Sequence, residues 1–404
     1  MMEENDLELL CPAGTIEKLK IALHYGADAV YFSGKNFGLR AFAGNFSDEE
    51  IVEATKLCHQ KNKKAYVTLN ILARDDDFQK LQPYLDLLVK AKVDAVIVSD
   101  LGLIEYISKH APSLDIHVST QANVTNSHTA NHLAQMGVKR IVLARELKLE
   151  QIKNIIKNIP KHVEIECFVH GAMCISYSGR CLLSNYMDGR DSNRGECVQA
   201  CRWQYKIREV SRDGEEYEIE EDERGSYILN SKDLCMINHL KELKAAGVAS
   251  LKIEGRMKSQ YYVATTTNAY RRAIDNLDRI DDNFNYVEEL EKTGHRKFTT
   301  GLYFDGEKSI ETHSSLPVQN SVFVANVVDD ASNGYVCVQM RNRFKTGDIL
   351  EILSPSDLLN KKLVVEEILD SLGNKIEDVK AVQQIVYLKT NYPLKKLDIL
   401  RRSN

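Results

Sequence analysis

Several familiar signatures are missing from this chain of 404 residues. No run of apolar residues approaches the roughly 18 that a membrane-crossing helix needs. The opening MMEENDLELL is acidic and lacks the basic-then-apolar order of a secretory signal. Both absences predict a cytoplasmic chain without a membrane partner. No G-x-G-x-x-G follows the first candidate strand, so the dinucleotide fingerprint is not there. H-E-x-x-H and G-x-S-x-G are absent too, which leaves two common hydrolase sites without a foundation.

What is present is ordinary in bulk and uneven in detail. Hydrophobic residues make up 43% and charged residues 27%, as in a globular protein. Nine cysteines in a chain of this kind point to metal or catalysis before disulfides, and five of them fall between Cys174 and Cys235. Isolated Cys58 and Cys337 read as small buried hydrophobes. The net charge of −5 argues at first against a nucleic-acid partner. Yet Ser211–Gly225 alone carries eight acids and two arginines, a net of −6, so the remainder sums to about +1. A local basic face therefore stays compatible with RNA.

From residue 8 to about 275, β-rich runs alternate with amphipathic helical stretches. Candidate strands are Glu8–Cys11, Ala29–Phe32, Ala65–Leu69, Ala95–Ser99, Ile116–Ser119, Arg140–Ala144, Val163–Phe168 and Ser250–Ile253. Helical periodicity covers Phe78–Lys90, and Ser47 followed by Asp48, Glu49 and Glu50 marks a helix start. Eight strand–helix repeats predict an α/β fold, a (β/α)8 TIM-like barrel, with an open doubly wound sheet as the rival. After strand 7 about 55 residues intervene before Tyr227–Asn230, and they hold most of the cysteines. Such a cysteine-rich insertion after strand 7, at about 172–235, belongs on the C-terminal face where barrel active sites are built. The expected layout is a barrel domain over 1–275, a polar connector over 276–315 and a small C-terminal all-β barrel domain over 316–404.

The insertion's thiols are widely spaced: six residues separate Cys174 from Cys181, fifteen separate Cys181 from Cys197, and thirty-seven separate Cys197 from Cys235. Zinc ribbons pair their ligands more tightly, whereas a cube-shaped iron–sulfur cluster takes thiolates at separate corners. Spacing alone leaves iron–sulfur, structural zinc and merely reduced thiols open.

The segment HGAMCISYSGRCLLSNY, followed by RGECVQACR, resembles the signature of the peptidase U32 family, long labelled collagenase-like. ELLCPAG (Glu8–Gly14), GADAVYFSG (Gly26–Gly34), LKIEGRMKS (Leu251–Ser259) and HRKFTTGLYF (His295–Phe304) extend the resemblance over essentially the whole chain. It implies a [4Fe–4S] cluster on Cys174, Cys181, Cys197 and Cys235, with Cys201 the alternative to Cys235. It also implies hydroxylation of RNA bases or of a ubiquinone precursor. A single barrel with a short β-rich C-terminal domain resembles the tRNA branch, which forms 5-hydroxyuridine at the wobble position by a prephenate-dependent route. tRNA and prephenate are then the expected partners, beside a related U32 subunit or a second copy of the chain. A U32 peptidase and a non-catalytic Fe–S partner subunit are the alternatives.

Other candidates come from position. His170 ends strand 7, and Glu254 and Arg256 follow strand 8; these three are the expected catalytic groups. Asn70, Gln121 and Arg145 stand at strand ends as substrate contacts or helix caps. Lys252 and Lys258, with Arg256, suggest an anion site at a helix start, against the blander reading of a rim salt bridge. His295 and Arg296 form a second polar cluster expected to fold over the barrel mouth. For RNA, Arg341, Arg343, Lys345, Lys395, Lys396, Arg401, Arg402, Tyr261, Tyr262, Arg271 and Arg272 combine cations with aromatics. The acidic stretch Asp213–Glu223 is expected away from the RNA path.

Overall fold

A computed structural model describes residues 7–38, 44–174, 176–203, 232–279, 284–305 and 318–403, together with a short pairing of Glu221–Asp222 with Gly225–Ser226. The rest of the acidic stretch and the Tyr227–Asn230 strand lie outside the described residues. Contacts divide the chain into two units. One comprises Met1–Leu19, Asp28–Met257 and His295–Pro317; the other comprises Lys20–Ala27, Lys258–Gly294 and Val318–Asn404. This partition differs from boundaries at 275 and 316, since the helix Gln260–Asp275 goes with the C-terminal unit and His295–Pro317 with the barrel.

The first unit is a closed parallel barrel. Its strands are β1 (Glu8–Pro12), β2 (Ala29–Phe32), β3 (Lys64–Leu69), β4 (Ala95–Val98), β5 (Asp115–Val118), β6 (Arg140–Val142) and β7 (Glu164–Ala172). A short insertion strand, β8 (Asp233–Cys235), precedes the last barrel strand, β9 (Ser250–Ile253). From β1 to β7 consecutive strands pair in parallel, β8 pairs antiparallel with β7, and β9 pairs in parallel with both β7 and β1, which closes the ring. The open-sheet alternative is thereby excluded. Most of these strands are buried along nearly their whole length, as a parallel sheet covered by helices requires.

Ser47 caps its helix as the sequence indicates. Its Oγ accepts from Glu50 N at 3.2 Å, and its own N–H donates to Glu50 Oε2 at 2.8 Å. The helix expected over Phe78–Lys90 is instead two, Asp75–Phe78 and Leu81–Lys90. Pro83 explains the break. It has no N–H to give and is tolerated only in a helix's first turn, so the second helix starts just before it.

Alternation in the barrel strands sends unexpected side chains inward. Tyr31, Tyr66 and Ile97 are joined in the interior by Glu8, Arg140, Glu166 and Lys252, all at most 4% exposed. Arg140 pairs with Glu8, donates to Glu164 Oε2 at 2.6 Å and reaches Glu166 Oε2 at 3.3 Å. Lys252 Nζ donates to Glu166 Oε1 at 2.8 Å, Ser250 Oγ to Glu8 Oε1 at 2.9 Å, and Tyr66 Oη to Glu8 Oε2 at 2.8 Å. Burial alone would raise the Glu8 carboxyl, but Arg140's charge and hydrogen bonds overrule it and hold it below the usual range.

The second unit is an antiparallel sheet of eight strands curled as a half-barrel. Val324, Val336, Val338, Leu350, Ile352 and Leu388 are among its apolar core. One cation is sealed in with them. Arg401, fully buried, pairs with Glu289 at 2.8 Å and Glu351 at 2.6 Å and donates to Asn360 Oδ1 at 2.6 Å.

Candidate active site at the barrel mouth

The cysteine-rich insertion is sewn onto the C-terminal ends of the barrel strands. Arg194 donates to Leu72 O at 2.7 Å and pairs with Asp77 at 2.9 Å, tying it to the loop after β3. Asn123 Nδ2, just after β5, donates to Ser178 O at 2.8 Å. Arg145, after β6, donates to Ala172 O and Ser178 Oγ, both at 2.9 Å. Close approach also needs Gly179. It has φ +74°, and a Cβ there would stand 3.0 Å from the Gln121 Cβ.

Between the insertion and β3, β4 and β5 lies a cavity of about 240 Å³. Asn70, Ser99, Asp100 and Gln121 come to it from the strand ends, and Gly179, Arg180 and Asn193 from the insertion. Asn70 and Gln121 thus stand where the sequence put substrate contacts. Arg145 does not line this cavity and serves as a clamp, its guanidinium 5.3 Å from the Phe168 ring centre. Arg180 and Asn193 carried no signal of their own, because nothing in the sequence says which strand ends the insertion will cover. Ser99 was findable, since it directly follows a strand.

The cysteine-bearing backbone of the insertion is tied to a residue of this cavity's lining. Asn193 Nδ2 and Ser192 Oγ donate to Cys181 O at 3.2 and 2.6 Å. The Cys201 thiol is pushed up first by burial, against Arg202, and then by the neighbouring thiols of Cys174, Cys197 and Cys181. Those four therefore share one electrostatic neighbourhood. Cys235 is 8% exposed on β8, its backbone paired with His170. Gln199 N–H donates to Cys197 Sγ at 3.4 Å, the type of contact that stabilises a thiolate. Among the described residues no three His, Cys, Asp or Glu side chains converge on a single-ion site. An all-thiol donor set beside cationic Arg202 and Arg296, with a backbone N–H on sulfur, fits a cluster that takes its ligands at separate corners.

The other candidates divide into two groups. His170 lies near the end of β7, 2% exposed, with Phe298 at 5.5 Å between ring centres, and His295 stacks on the same phenyl ring at 4.5 Å. The return of Phe298–Thr299 beside β8 carries His295 and Arg296 to this end of the barrel unit. Arg296 donates from its backbone to Asp233 at 3.1 Å; burial and then Arg202 lower its affinity for a proton. Glu254 N–H donates to His170 O at 2.9 Å.

Lys252, Arg256 and Lys258 do not form the rim anion site anticipated for them. Lys252 points into the barrel because β9 alternates Ser250 and Lys252 inward. Arg256 is 7% exposed and donates to Thr68 Oγ1 at 3.3 Å. Lys258 belongs to the other unit, where its ammonium donates to Gly294 O at 3.3 Å and lies 5.1 Å from the Tyr262 ring centre.

Most of the expected RNA contacts of the C-terminal unit are engaged within it. Arg343 pairs with Asp378, Lys395 with Asp330, Lys396 with Asp329 and Arg402 with Asp348. Arg271 pairs with Asp275, and Arg272 donates to Pro355 O at 3.0 Å. Arg401, Tyr261 and Tyr262 are buried. Arg341 lies 5.9 Å from the Phe323 ring centre, and the Lys345 backbone N–H donates to Asp348. Local charge pairing, invisible in a list of cations, accounts for the difference.

A model of peptidase family U32 matches residues 14–314, and that of the U32 C-terminal domain matches residues 319–401. The chain belongs to the peptidase U32 family. Among its relatives, tRNA hydroxylation protein P1 of Bacillus subtilis is 39% identical over 98% of this chain and 94% of its own length. tRNA hydroxylation protein P of Escherichia coli is 37% identical over 87% of each chain. An uncharacterized protease of Methanocaldococcus jannaschii is 39% identical over 97% of each. No helix among the described residues of this U32 protein is long and apolar enough to cross a membrane.

Proposed function

We propose that this chain is an RNA-modifying hydroxylase of the cytoplasm, acting on tRNA to form 5-hydroxyuridine at the wobble position with prephenate as co-substrate. The observation that carries this reading is the near full-length similarity to proteins named for tRNA hydroxylation. A cavity at the barrel mouth, covered by the cysteine-rich insertion, supports it. Cys174, Cys181 and Cys197 would hold a [4Fe–4S] cluster, with the fourth thiolate from Cys235 or, in its place, Cys201. When bound, such a cluster would supply one-electron redox chemistry.

The chain's own residues then have separable tasks. Asn70, Ser99, Asp100 and Gln121 shape the cavity from the strand ends, and Arg180 and Asn193 cover it from the insertion. Arg145 and Arg194 fix that cover in place. His170 and His295, both resting on Phe298, are the imidazoles at this end of the barrel that we assign to proton transfer. A wobble base must leave its loop to be modified, so a pocket at the barrel mouth that opens to solvent is the kind of site the reaction needs.

The test is nucleoside mass spectrometry of tRNA from a strain lacking the gene. Loss of 5-hydroxyuridine, restored by the wild-type chain and not by Cys174→Ala, is expected; unchanged 5-hydroxyuridine would overturn the reading. Iron and sulfide counted in anaerobically purified Cys235→Ser and Cys201→Ser separate the two fourth-ligand candidates. A colourless, zinc-loaded protein would remove the cluster.

A further inference from the structure

The insertion has an outer surface as well as the cavity it covers. Among the described residues four aromatic side chains are exposed, and three of them, Tyr177, Tyr186 and Trp203, fall within residues 176–203. Tyr186 is 87% exposed and Leu182 71%, although a surface gains nothing from apolar groups held in water. The local chain explains why they stay outside. The short helix Leu183–Asp188 buries only Ser184, whose Oγ accepts from Val198 N at 3.0 Å, while Asn185, Tyr186, Met187 and Asp188 are all exposed. That helix packs beside the turn Ala200–Arg202, and Trp203 closes the turn with its N–H donating to Ala200 O at 3.0 Å. The exposed helix residues and Trp203 therefore share one neighbourhood.

Cations accompany the rings. Arg180 follows Tyr177 by three residues, Arg190 follows Tyr186 by four, and Arg202 directly precedes Trp203. Two of the insertion's acids are already neutralised, Asp188 by Arg190 at 3.8 Å and Asp191 by Arg74 at 3.7 Å. Arg180 Nε donates to Asn123 Oδ1 at 2.8 Å and Arg202 to Gln199 Oε1 at 2.7 Å, and among the described residues no carboxylate pairs with either. Residues 176–203 hold four arginines and three acids, a net of +1 within a chain of −5. Exposed rings beside cations left without a counter-charge match a partner that is both flat-faced and anionic, as unpaired nucleotides are. Gly179 and Arg180 of the same segment also line the mouth cavity, so a strand entering the mouth passes over this surface.

We propose that the outer surface of the insertion is a stacking platform for unpaired RNA nucleotides, with Tyr177, Tyr186 and Trp203 taking base faces and Arg180 and Arg202 taking phosphates. The platform rests on the RNA-hydroxylase reading and adds to it a contact outside the cavity: the nucleotides held here are neighbours of the modified one. Every base has a ring face and every nucleotide a phosphate. The platform therefore selects unpaired strand over duplex and is indifferent to sequence. It gives the insertion a second task, separate from carrying the thiols.

Trp203 is the chain's only tryptophan, so its fluorescence reports on this surface alone. The test follows that fluorescence in the full-length, anaerobically purified protein as an RNA hairpin with an unpaired loop is added, against a blunt duplex of the stem sequence. The hairpin is expected to quench Trp203 saturably and the duplex to leave it unchanged. Tyr186→Ala should weaken hairpin binding at least about fivefold, the loss of one stacked base, without moving the urea midpoint. Trp203→Ala, followed with labelled RNA, should do the same, so a fold defect in one variant does not decide the matter. Arg180→Gln should reduce the slope of log affinity against log salt by about 0.7, one phosphate on a single strand. Absence of quenching, equal quenching by hairpin and duplex, or hairpin affinity unchanged in both ring variants overturns the platform. Trp203 emission that depends on protein concentration without RNA overturns it too, since a second copy would then cover the surface. Unchanged 5-hydroxyuridine in the deletion strain is a different failure: it removes the hydroxylase reading, whereas quenching of Trp203 needs no turnover.

Discussion

The two ends of the barrel treat buried polar groups in opposite ways. At the N-terminal end, Glu8, Arg140, Glu166 and Lys252 exchange ion pairs and hydrogen bonds inside the ring. His117 Nδ1 is the exception there, buried without a partner; at the mouth five such atoms occur among the described residues, Gln121 Oε1, Asn193 Oδ1, Arg145 Nε, His295 Nε2 and Arg296 Nε. A paired network specifies and rigidifies; unpaired atoms are a cost that a bound ligand can remove. The barrel is therefore held at one end and left chemically unfinished at the other, as expected of a fold whose chemistry sits on its C-terminal face.

Substitutions should separate the two ends by sign as well as size. The largest effect is expected from Arg140→Leu, which leaves the buried Glu8 carboxylate without its cation and Glu166 with Lys252 alone. Loss of about 3–5 kcal/mol in urea unfolding is expected, the range for breaking a buried pair from one side. A loss below about 1 kcal/mol would mean that the network contributes little to the fold. Lys252→Met should cost less, about 2 kcal/mol, because Glu166 keeps Arg140 at 3.3 Å.

Acid should act on the same end. His117 is buried and held well below its ordinary pKa, by burial first and then by Arg140, Lys252 and Lys64. Its folded form resists a proton that the unfolded chain accepts, so stability falls as pH drops below the unfolded value near 6.5. The slope from this one group is at most about 1.4 kcal/mol per pH unit, and His117→Phe should remove it. Glu8, also depressed, adds its own loss at lower pH, below the ordinary carboxylate value of 4.5. Denaturation midpoints from pH 7 to 5 that coincide for wild type and His117→Phe would contradict the assignment.

At the mouth, Gln121→Leu should change stability by less than about 1 kcal/mol and can raise it, because it deletes an unpaired acceptor. A large destabilisation would show that the amide belongs to the scaffold and not to the pocket. Smallest of all, Lys396→Ala and Arg343→Ala, at exposed ion pairs of the C-terminal unit, should leave the urea midpoint of wild type unchanged.

The strands were legible because a parallel strand covered on both faces must be apolar and short. AVYF at Ala29–Phe32 and AVIV at Ala95–Val98 have no other economical reading. Lys252 and Arg140 were not legible as interior groups. A charge in a strand signals a surface until the facing carboxylate, from a strand many residues distant in sequence, is known. The same holds for Arg401, whose place beside Lys395 and Lys396 suggests an RNA-facing cluster although its guanidinium is sealed between Glu289 and Glu351.

The site was half visible. Asn70 and Gln121 follow strands and so had to stand at the mouth. Asn193 and Arg180 reach the same cavity only because Arg194, Arg145 and Gly179 let the insertion close over the ends of β3, β4 and β5.

Sequence by itself determined the repeat of strand and helix, the place of the insertion, the candidate thiols and the family. These are properties of local pattern and of residue order. Only the tertiary structure decided which polar groups are paired and which are left open. Pairing depends on distances between residues far apart in the chain, and no single segment contains that information.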